Sequence, residues 1–293
     1  MTQPTVGIAG TGRMGTAFAR RLIECGFPVT VWNRTPARTA ESVAAGATEA
    51  HDLAGLAGCE VILLSLTDAA AVQAVVDSLI GVGIRGRLIV DTSTVPPEVP
   101  AALAERLAGA GADFVDCPVG GTVGPALKGQ LLGFAGGTEA AVARARPVME
   151  ALCRRVEHVG PAGHGALVKL AVNLPLALYW QTLGESLALL QGSGIPAETA
   201  VSLIADSSAG PAVLKNRADV VVRTLGGEDQ PGTFDIAGLA KDLALASDLA
   251  ARRGNSLPLA GAAQRSYAAA LDAGLGRFEG ASLSRRVAEG PQS

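Results

Sequence analysis

Gly10, Gly12 and Gly15 stand at the spacing of a loop that can hold a diphosphate. In the run Gly10-Thr11-Gly12-Arg13-Met14-Gly15 the first glycine permits a tight turn and the second lets main chain approach a pyrophosphate. The third lets a helix pack closely on a strand, so the anion meets N–H groups at the helix N terminus. Such a loop alone is weak evidence. Here Val6 to Ala9 precede it as a short buried strand, Thr16 to Cys25 follow as a helix, and Val29 to Trp32 read as a second strand. Gly10 to Gly15 are therefore expected to bind a dinucleotide. After the second strand, where an acidic residue would bond a ribose 2′-hydroxyl, the chain has Asn33-Arg34-Thr35. A guanidinium and a hydroxyl suit a 2′-phosphate, so NADPH is expected in preference to NADH. Taken alone, Arg34 and Arg38 also fit a solvated loop and helix start.

Lys169 and Asn173 form a second polar grouping. They lie four residues apart in Gly165-Ala166-Leu167-Val168-Lys169-Leu170-Ala171-Val172-Asn173, one turn apart on one helical face that continues to Leu176 and Trp180. An ammonium among Leu, Ala and Val either snorkels to water or is held by a partner, because an unpaired buried charge is costly. His51, His158 and His164 show no spacing that brings two imidazoles to one metal, and no metal is expected. His164 alone lies near this helix face. Cys25, Cys59, Cys117 and Cys153 form no CxxC pair and read as small buried hydrophobes.

These groups need elements to hold them. Apolar runs at Val61 to Leu66, Leu88 to Asp91, Phe114 to Asp116 and Leu131 to Ala135 alternate with alanine-rich helical stretches, the pattern of a mostly parallel sheet. The first two end in Ser65, Thr67 and Asp68 and in Asp91, Thr92, Ser93 and Thr94, at the strand ends where a doubly wound sheet binds ligand. From Gly163 to Gln191 runs one long helical pattern with Pro175 inside it, which predicts a kink. Beyond Gly192-Ser193-Gly194 only shorter helices are expected. The predicted fold is α/β: a Rossmann-like doubly wound sheet plus an all-helical C-terminal domain, joined by a long interdomain helix. The corresponding segments are 1–162, 163–191 and 192–293. The residues from about Ala281 are polar without clear periodicity and are expected to fray.

With 293 residues, 48% hydrophobic and 17% charged, the chain has ample material for a core. Its net charge of −3 without a basic run argues against nucleic acid or an anionic membrane as partner and leaves small molecules. No apolar stretch is long enough to span a bilayer, and the first strand begins too early for a signal peptide, so a cytoplasmic location is expected.

The chain resembles the β-hydroxyacid dehydrogenase family, which includes 3-hydroxyisobutyrate dehydrogenases and semialdehyde reductases, over essentially its whole length. The likeness is carried by Gly10 to Gly15, by Asp91-Thr92-Ser93-Thr94 with Pro96, and by Asp116-Cys117-Pro118-Val119-Gly120-Gly121 continuing to Gly136-Gly137. Gly165, Lys169 and Asn173, and Phe234 with Lys241-Asp242-Leu243, complete it. The resemblance implies hydride transfer between NADP(H) and a small hydroxyacid or its carbonyl form, in a homodimer built through the helical domain. It implies Lys169 as general acid and base, with Asn173 orienting it or bonding substrate. Cofactor contacts would come from Gly10, Thr11, Gly12, Arg13, Met14, Gly15, Asn33, Arg34, Thr35, Leu66, Thr67, Thr94 and Lys241. Substrate contacts would come from Ser93, Gly120, Gly121, Thr122, Phe234 and Asp242. Lys241 also fits a surface lysine paired with its neighbour.

Two departures bear on the substrate. The family's loop usually reads Ser-Gly-Gly after Pro-Val, whereas this chain has Gly120-Gly121-Thr122, so a hydroxyl donor is missing and Thr122 offers one in another direction. Leu174-Pro175 replaces an amide that many relatives carry after the asparagine. With Leu176, Trp180 and Phe234 near, the pocket could suit a bulkier substrate, although these residues equally fit ordinary core. Two other functions compete: imine reduction, on a similar fold that usually lacks the lysine, and an NADP(H)-binding module without turnover.

Overall fold

A computed structural model describes residues 3–290, and the chain divides into two compact units, one ending at Lys169 and the other beginning at Leu170. The first unit opens with β1 (Val6–Ala9), α1 (Arg13–Glu24), β2 (Val29–Trp32), α2 (Ala40–Ala44) and β3 (Thr48–Glu49). It continues with β4 (Val61–Leu64), α3 (Ala69–Val82), β5 (Leu88–Asp91), α4 (Glu98–Gly109) and β6 (Asp113–Asp116). Then come β7 (Val119–Gly120), α5 (Val123–Leu127), β8 (Leu131–Gly137), α6 (Glu139–Leu152) and β9 (Cys153–Gly160). Among the described residues these strands form one nine-stranded sheet in the order β3-β2-β1-β4-β5-β6-β8-β7, with β9 beside β8. β1 to β6 pair in parallel; β8 runs antiparallel to β6 and β7.

Helices cover both faces, which is why β1, β4 and β5 are buried throughout and, apart from Asp91 at the end of β5, carry no polar side chain, rather than alternating. Ile8, Leu63 and Val90 pack with Phe18 and Leu22 of α1 and Val148 of α6. Ile62, Leu64 and Ile89 pack on the other face with Val76 and Leu79 of α3 and Leu103 of α4. Each fully buried Leu or Ile contributes about 1.5–3 kcal/mol. The register aligns Ala9, Trp32, Leu64, Asp91 and Asp116 in one row across five strands. The loops after that row, beginning at Gly10, Asn33, Ser65, Thr92 and Cys117, therefore share the carboxyl edge of the sheet.

α7 (His164–Ala188) begins in the first unit and continues into the second; its 25 residues extend about 37 Å. The helix persists through Pro175, where the ring removes one N–H from the ladder. The second unit adds α8 (Ala197–Asp206), α9 (Ala212–Lys215), α10 (Ala218–Leu225), α11 (Ile236–Arg252), α12 (Pro258–Asp272) and α13 (Gly280–Glu289). It contains no strand among the described residues, as expected. Trp180, Leu183, Leu239, Leu243, Tyr267 and Leu283 build its core, and Tyr267 donates its hydroxyl to the Ala177 carbonyl at 3.0 Å.

One expectation fails here. The described residues from Ala281 do not fray: they form α13, with Ala281, Ser282, Leu283, Ser284 and Ala288 buried, and residues 291–293 lie outside the described ones. Its small polar residues are what lets it pack closely. Ser284 donates to the Trp180 carbonyl at 2.6 Å, and a Cβ at Gly280 would collide with the Trp180 ring. Trp180 is thereby fixed as core of the second unit.

Candidate active site

The glycine loop joins β1 to α1 as expected. Gly10 has φ +100°, and a Cβ there would collide with the Ser65 carbonyl; a Cβ at Gly15 would collide with the Gly10 carbonyl. Any side chain at either position would open the turn. At Gly12 a Cβ would meet nothing within 4 Å, and no side chain caps the N terminus of α1. The Thr11 hydroxyl is buried without a hydrogen-bond partner, while the Thr11 N–H donates to Asn33 Oδ1 at 3.1 Å. Asn33 in turn donates from Nδ2 to the Thr35 carbonyl at 2.9 Å, tying the loop to the end of β2. An open main-chain concavity, a helix N terminus and an unused hydroxyl fit a dinucleotide diphosphate. Arg13 and Arg34 are at this same edge, and Arg34 and Thr35 follow β2 without a carboxylate among residues 33 to 35.

The loops after β4 and β5 are bonded to each other. The Leu66 N–H donates to Ser93 Oγ at 3.0 Å and Thr92 Oγ1 donates to the Leu64 carbonyl at 2.7 Å. Thr67 donates to Asp68, the residue that caps α3. Ser93 is buried and Thr94 half-buried. The Ser93 N–H donates to Asp91 Oδ1 at 2.9 Å. Burial pushes the Asp91 carboxyl up to about 6, with hydrogen bonding from Ser93 pulling the other way.

Gly120 ends β7, and Gly121 turns the chain with φ +122° into Thr122, the residue before α5. Lys169 is 8% exposed and donates from Nζ to the Val119 carbonyl at 2.8 Å. The lysine does not snorkel; it is held against the strand that leads into the glycine pair.

Asp116 has a role that its sequence context does not reveal. It is 2% exposed, and its two oxygens accept the N–H groups of Gly163 and Ala166, each at 2.8 Å. A Cβ at Gly165 would collide with the Phe134 carbonyl and lie 2.6 Å from the Asp116 carbonyl, so a glycine is needed for α7 to start this close to β6 and β8. The partners are 47 and 50 residues away in sequence, and only the Asp116 and Gly165 motif positions hint at them.

In the second unit Asn173 is buried and donates from Nδ2 to Asp242 Oδ2 at 2.6 Å. Lys241 Nζ lies 3.4 Å from Asp242 Oδ1, the neighbour pair anticipated for it. Phe234, half-buried, packs over Gly238 at the start of α11, where Asp235 caps the helix. His164 sits in the first turn of α7 with Nδ1 3.2 Å from the Val159 carbonyl. Among the described residues no group of three or more His, Cys, Asp or Glu side chains gathers as a metal site would require. Cys59, Cys117 and Cys153 are buried free thiols and Cys25 is half-buried. No helix among the described residues is long and apolar enough to cross a membrane.

Residues 5–160 match the model for the NAD binding domain of 6-phosphogluconate dehydrogenase, and residues 163–286 the model for the NAD-binding of NADP-dependent 3-hydroxyisobutyrate dehydrogenase. Glyoxylate/succinic semialdehyde reductase 1 of Arabidopsis thaliana is 31% identical over 278 residues, spanning 94% of this chain and 95% of the relative. A solved 3-hydroxyisobutyrate dehydrogenase from Salmonella typhimurium is 26% identical and superposes with a TM-score of 0.87 over 97% of this chain and 99% of that one. An imine reductase from a Pseudomonas species, 21% identical, shares the fold with a TM-score of 0.67 over 96% of this chain and 98% of that one. Linked motifs in both units and likeness along the whole length agree: the chain belongs to the β-hydroxyacid dehydrogenase family, NAD(P)-binding oxidoreductases that act on CH–OH and carbonyl groups.

Proposed function

We propose that the chain interconverts a small aldehyde or keto acid, of the semialdehyde or glyoxylate type, and its hydroxyacid with NADP(H), Lys169 acting as general acid and base. The observation that carries this reading is the buried ammonium of Lys169, held at the Val119 carbonyl directly before Gly120 and Gly121. Arg34 and Thr35, in place of a carboxylate, support NADPH, and the NADP-dependent family model over residues 163–286 agrees with it. A dinucleotide whose diphosphate the glycine loop would hold would supply or accept the hydride through its nicotinamide. Gly10, Gly12 and the N terminus of α1 hold the diphosphate through main-chain N–H groups. Main-chain N–H groups at Gly120, Gly121 and Thr122, with Ser93 and Thr94, bind the substrate carboxylate. Lys169 stabilises the charge that grows on the carbonyl oxygen and gives it a proton; in the reverse direction it takes that proton from the alcohol. Asn173 bonds substrate or aligns the lysine. Position 120 lacks the hydroxyl that a serine would supply there, which supports a second reading, reduction of a C=N bond by the same chain.

Exposed Leu189, Leu203 and Leu259 on the second unit support assembly as a homodimer, which light scattering at known concentration tests. The decisive experiment follows NADPH consumption with succinic semialdehyde, glyoxylate and a cyclic imine, in the wild type and in Lys169→Ala. Aldehyde turnover that falls about 10²- to 10⁴-fold in the variant, with NADPH binding retained, is expected. Imine turnover that survives the substitution, without aldehyde turnover, favours the second reading; NADPH binding without turnover favours a non-catalytic module.

A further inference from the structure

Two anchors of Lys169 leave the same short segment of chain. Asp116, the last residue of β6, accepts the Gly163 and Ala166 N–H groups and so fixes the first turn of α7. Val119, three residues later, supplies the carbonyl that accepts Lys169 Nζ. The side-chain oxygens of Asp116 thus hold the main chain of the lysine's helix, and the main chain beyond Asp116 holds the lysine's tip. Gly136 and Gly165 leave the room this needs, since a Cβ at either would collide with Asp116 or with the main chain beside it.

We infer that Asp116 is a positioning residue that sets Lys169 against the Val119 carbonyl when its carboxylate is ionised, an inference that rests on the proposed role of Lys169. A carboxylate offers strong acceptors to both N–H groups; a carboxylic acid turns one oxygen into a donor and leaves it a weaker acceptor. Burial pushes Asp116 up to about 7, against the pull of the Gly163 and Ala166 N–H groups, and the charge of Asp91 adds to the rise. Asp91 is its register partner on β5, is buried as well, and leaves Oδ2 without a hydrogen-bond partner.

Charges on the other packed elements do not compete. β8 brings Gly136 and Gly137 against β6, and Arg144 of α6 is paired with Asp113 at the opposite end of β6. Arg106 of α4 pairs with Asp77, and Glu98 and Glu105 are carried on that same helix. His164 of α7 faces the Val159 carbonyl, and burial keeps the adjacent Cys117 thiol neutral. The clamp is therefore set by Asp116 and tuned by Asp91. It weakens as pH falls through about 7.

The test is the pH profile of kcat for the full chain with NADPH and whichever of succinic semialdehyde or glyoxylate is turned over, together with amide hydrogen exchange at Gly163 and Ala166. Wild type is expected to lose activity on the acid side of about 7. Asp116→Asn is expected to lower kcat by about ten- to a hundredfold, leave KM for NADPH unchanged, abolish that acid limb and speed exchange at both amides. Asp91→Asn removes a like charge, so the limb persists and moves to lower pH. A wild type without the limb, or an Asp116→Asn chain with wild-type kcat, profile and exchange, overturns the inference. If Asp116→Asn fails to fold, an Asp91→Asn limb that stays in place overturns it. Lys169→Ala with undiminished turnover removes the lysine's role, and the exchange rates then separately decide whether Asp116 clamps the helix.

Discussion

Lys169 and Asn173 ride on one helix and are anchored in opposite ways. The lysine tip rests on a main-chain carbonyl, Val119, while the start of its helix is held by the Asp116 carboxylate, which accepts the Gly163 and Ala166 N–H groups. The asparagine rests on a side chain, Asp242, from a helix 69 residues further along. Main-chain anchors are set by strand register and survive most substitutions; a side-chain anchor can be removed by one. The Val119 contact is accordingly robust, whereas the Asp116 clamp is sensitive to charge and the Asn173 anchor to the loss of one residue, Asp242. Deleting Lys169 itself carries the largest expected loss, followed by Asp116→Asn.

The charge sensitivity has a stability counterpart. Asp91 is raised by burial from 3.8 to about 6, so the folded chain holds a proton that the unfolded chain has released. That contribution is present in full below about 4 and is lost as pH rises through about 6, a change of about 3 kcal/mol. Denaturant unfolding at several pH values is expected to show wild type losing stability over this window and Asp91→Asn losing about half as much, because Asp116, raised by burial to about 7, titrates across the same window in both. Parallel curves for the two proteins would mean that Asp91 is ionised at little cost and that the contrast between the units does not rest on charge.

Asp242→Ala attacks the other side of the comparison. It leaves the Asn173 amide buried beside an empty acceptor position, and the loss of a hydrogen bond to a charged group costs about 1.5–3 kcal/mol. Thermal unfolding is expected at lower temperature, with kcat reduced about tenfold and NADPH affinity retained. A melting curve and kcat equal to wild type would show that Asn173 needs no side-chain anchor.

The same division explains what could be read from the residues alone. The glycine spacing, the apolar strand runs and the long helix are local patterns, and they located β1, α1, β2, β4, β5, β6, β8 and α7. β9 went unnoticed because Cys153 to Gly160 mixes Arg, Glu and His with Val, as an outer strand can, and β7 is only two residues long. α13 reads in sequence as a fraying tail because small polar residues pack there on Trp180 and Gly184 rather than in an apolar stripe. Lys169 and Asn173 were visible as a helical pair. Their anchors were not, since Val119 contributes a carbonyl that every residue possesses, and Asp116 and Asp242 act across 47 to 69 residues of sequence.

The smallest expected effect tests how far the main-chain character of the first unit extends. Gly120 replaces the serine usual in the family, yet its backbone does not demand glycine, and a Cβ there would make ordinary contacts with the edge of the Phe134 ring at 3.4 Å and with Leu132 at 3.6 Å. Gly121, with φ +122° and Leu131 2.6 Å from its would-be Cβ, does demand it. Gly120→Ser should therefore fold with unchanged stability and leave the main-chain donors in place while adding a hydroxyl. If those donors bind the substrate carboxylate, the added hydrogen bond lowers KM for glyoxylate or succinic semialdehyde by a few-fold, about 1 kcal/mol, and leaves imine turnover unimproved. A KM that stays the same would place the carboxylate elsewhere, and a KM that falls for the imine alone would show that this loop selects for C=N rather than for an acid.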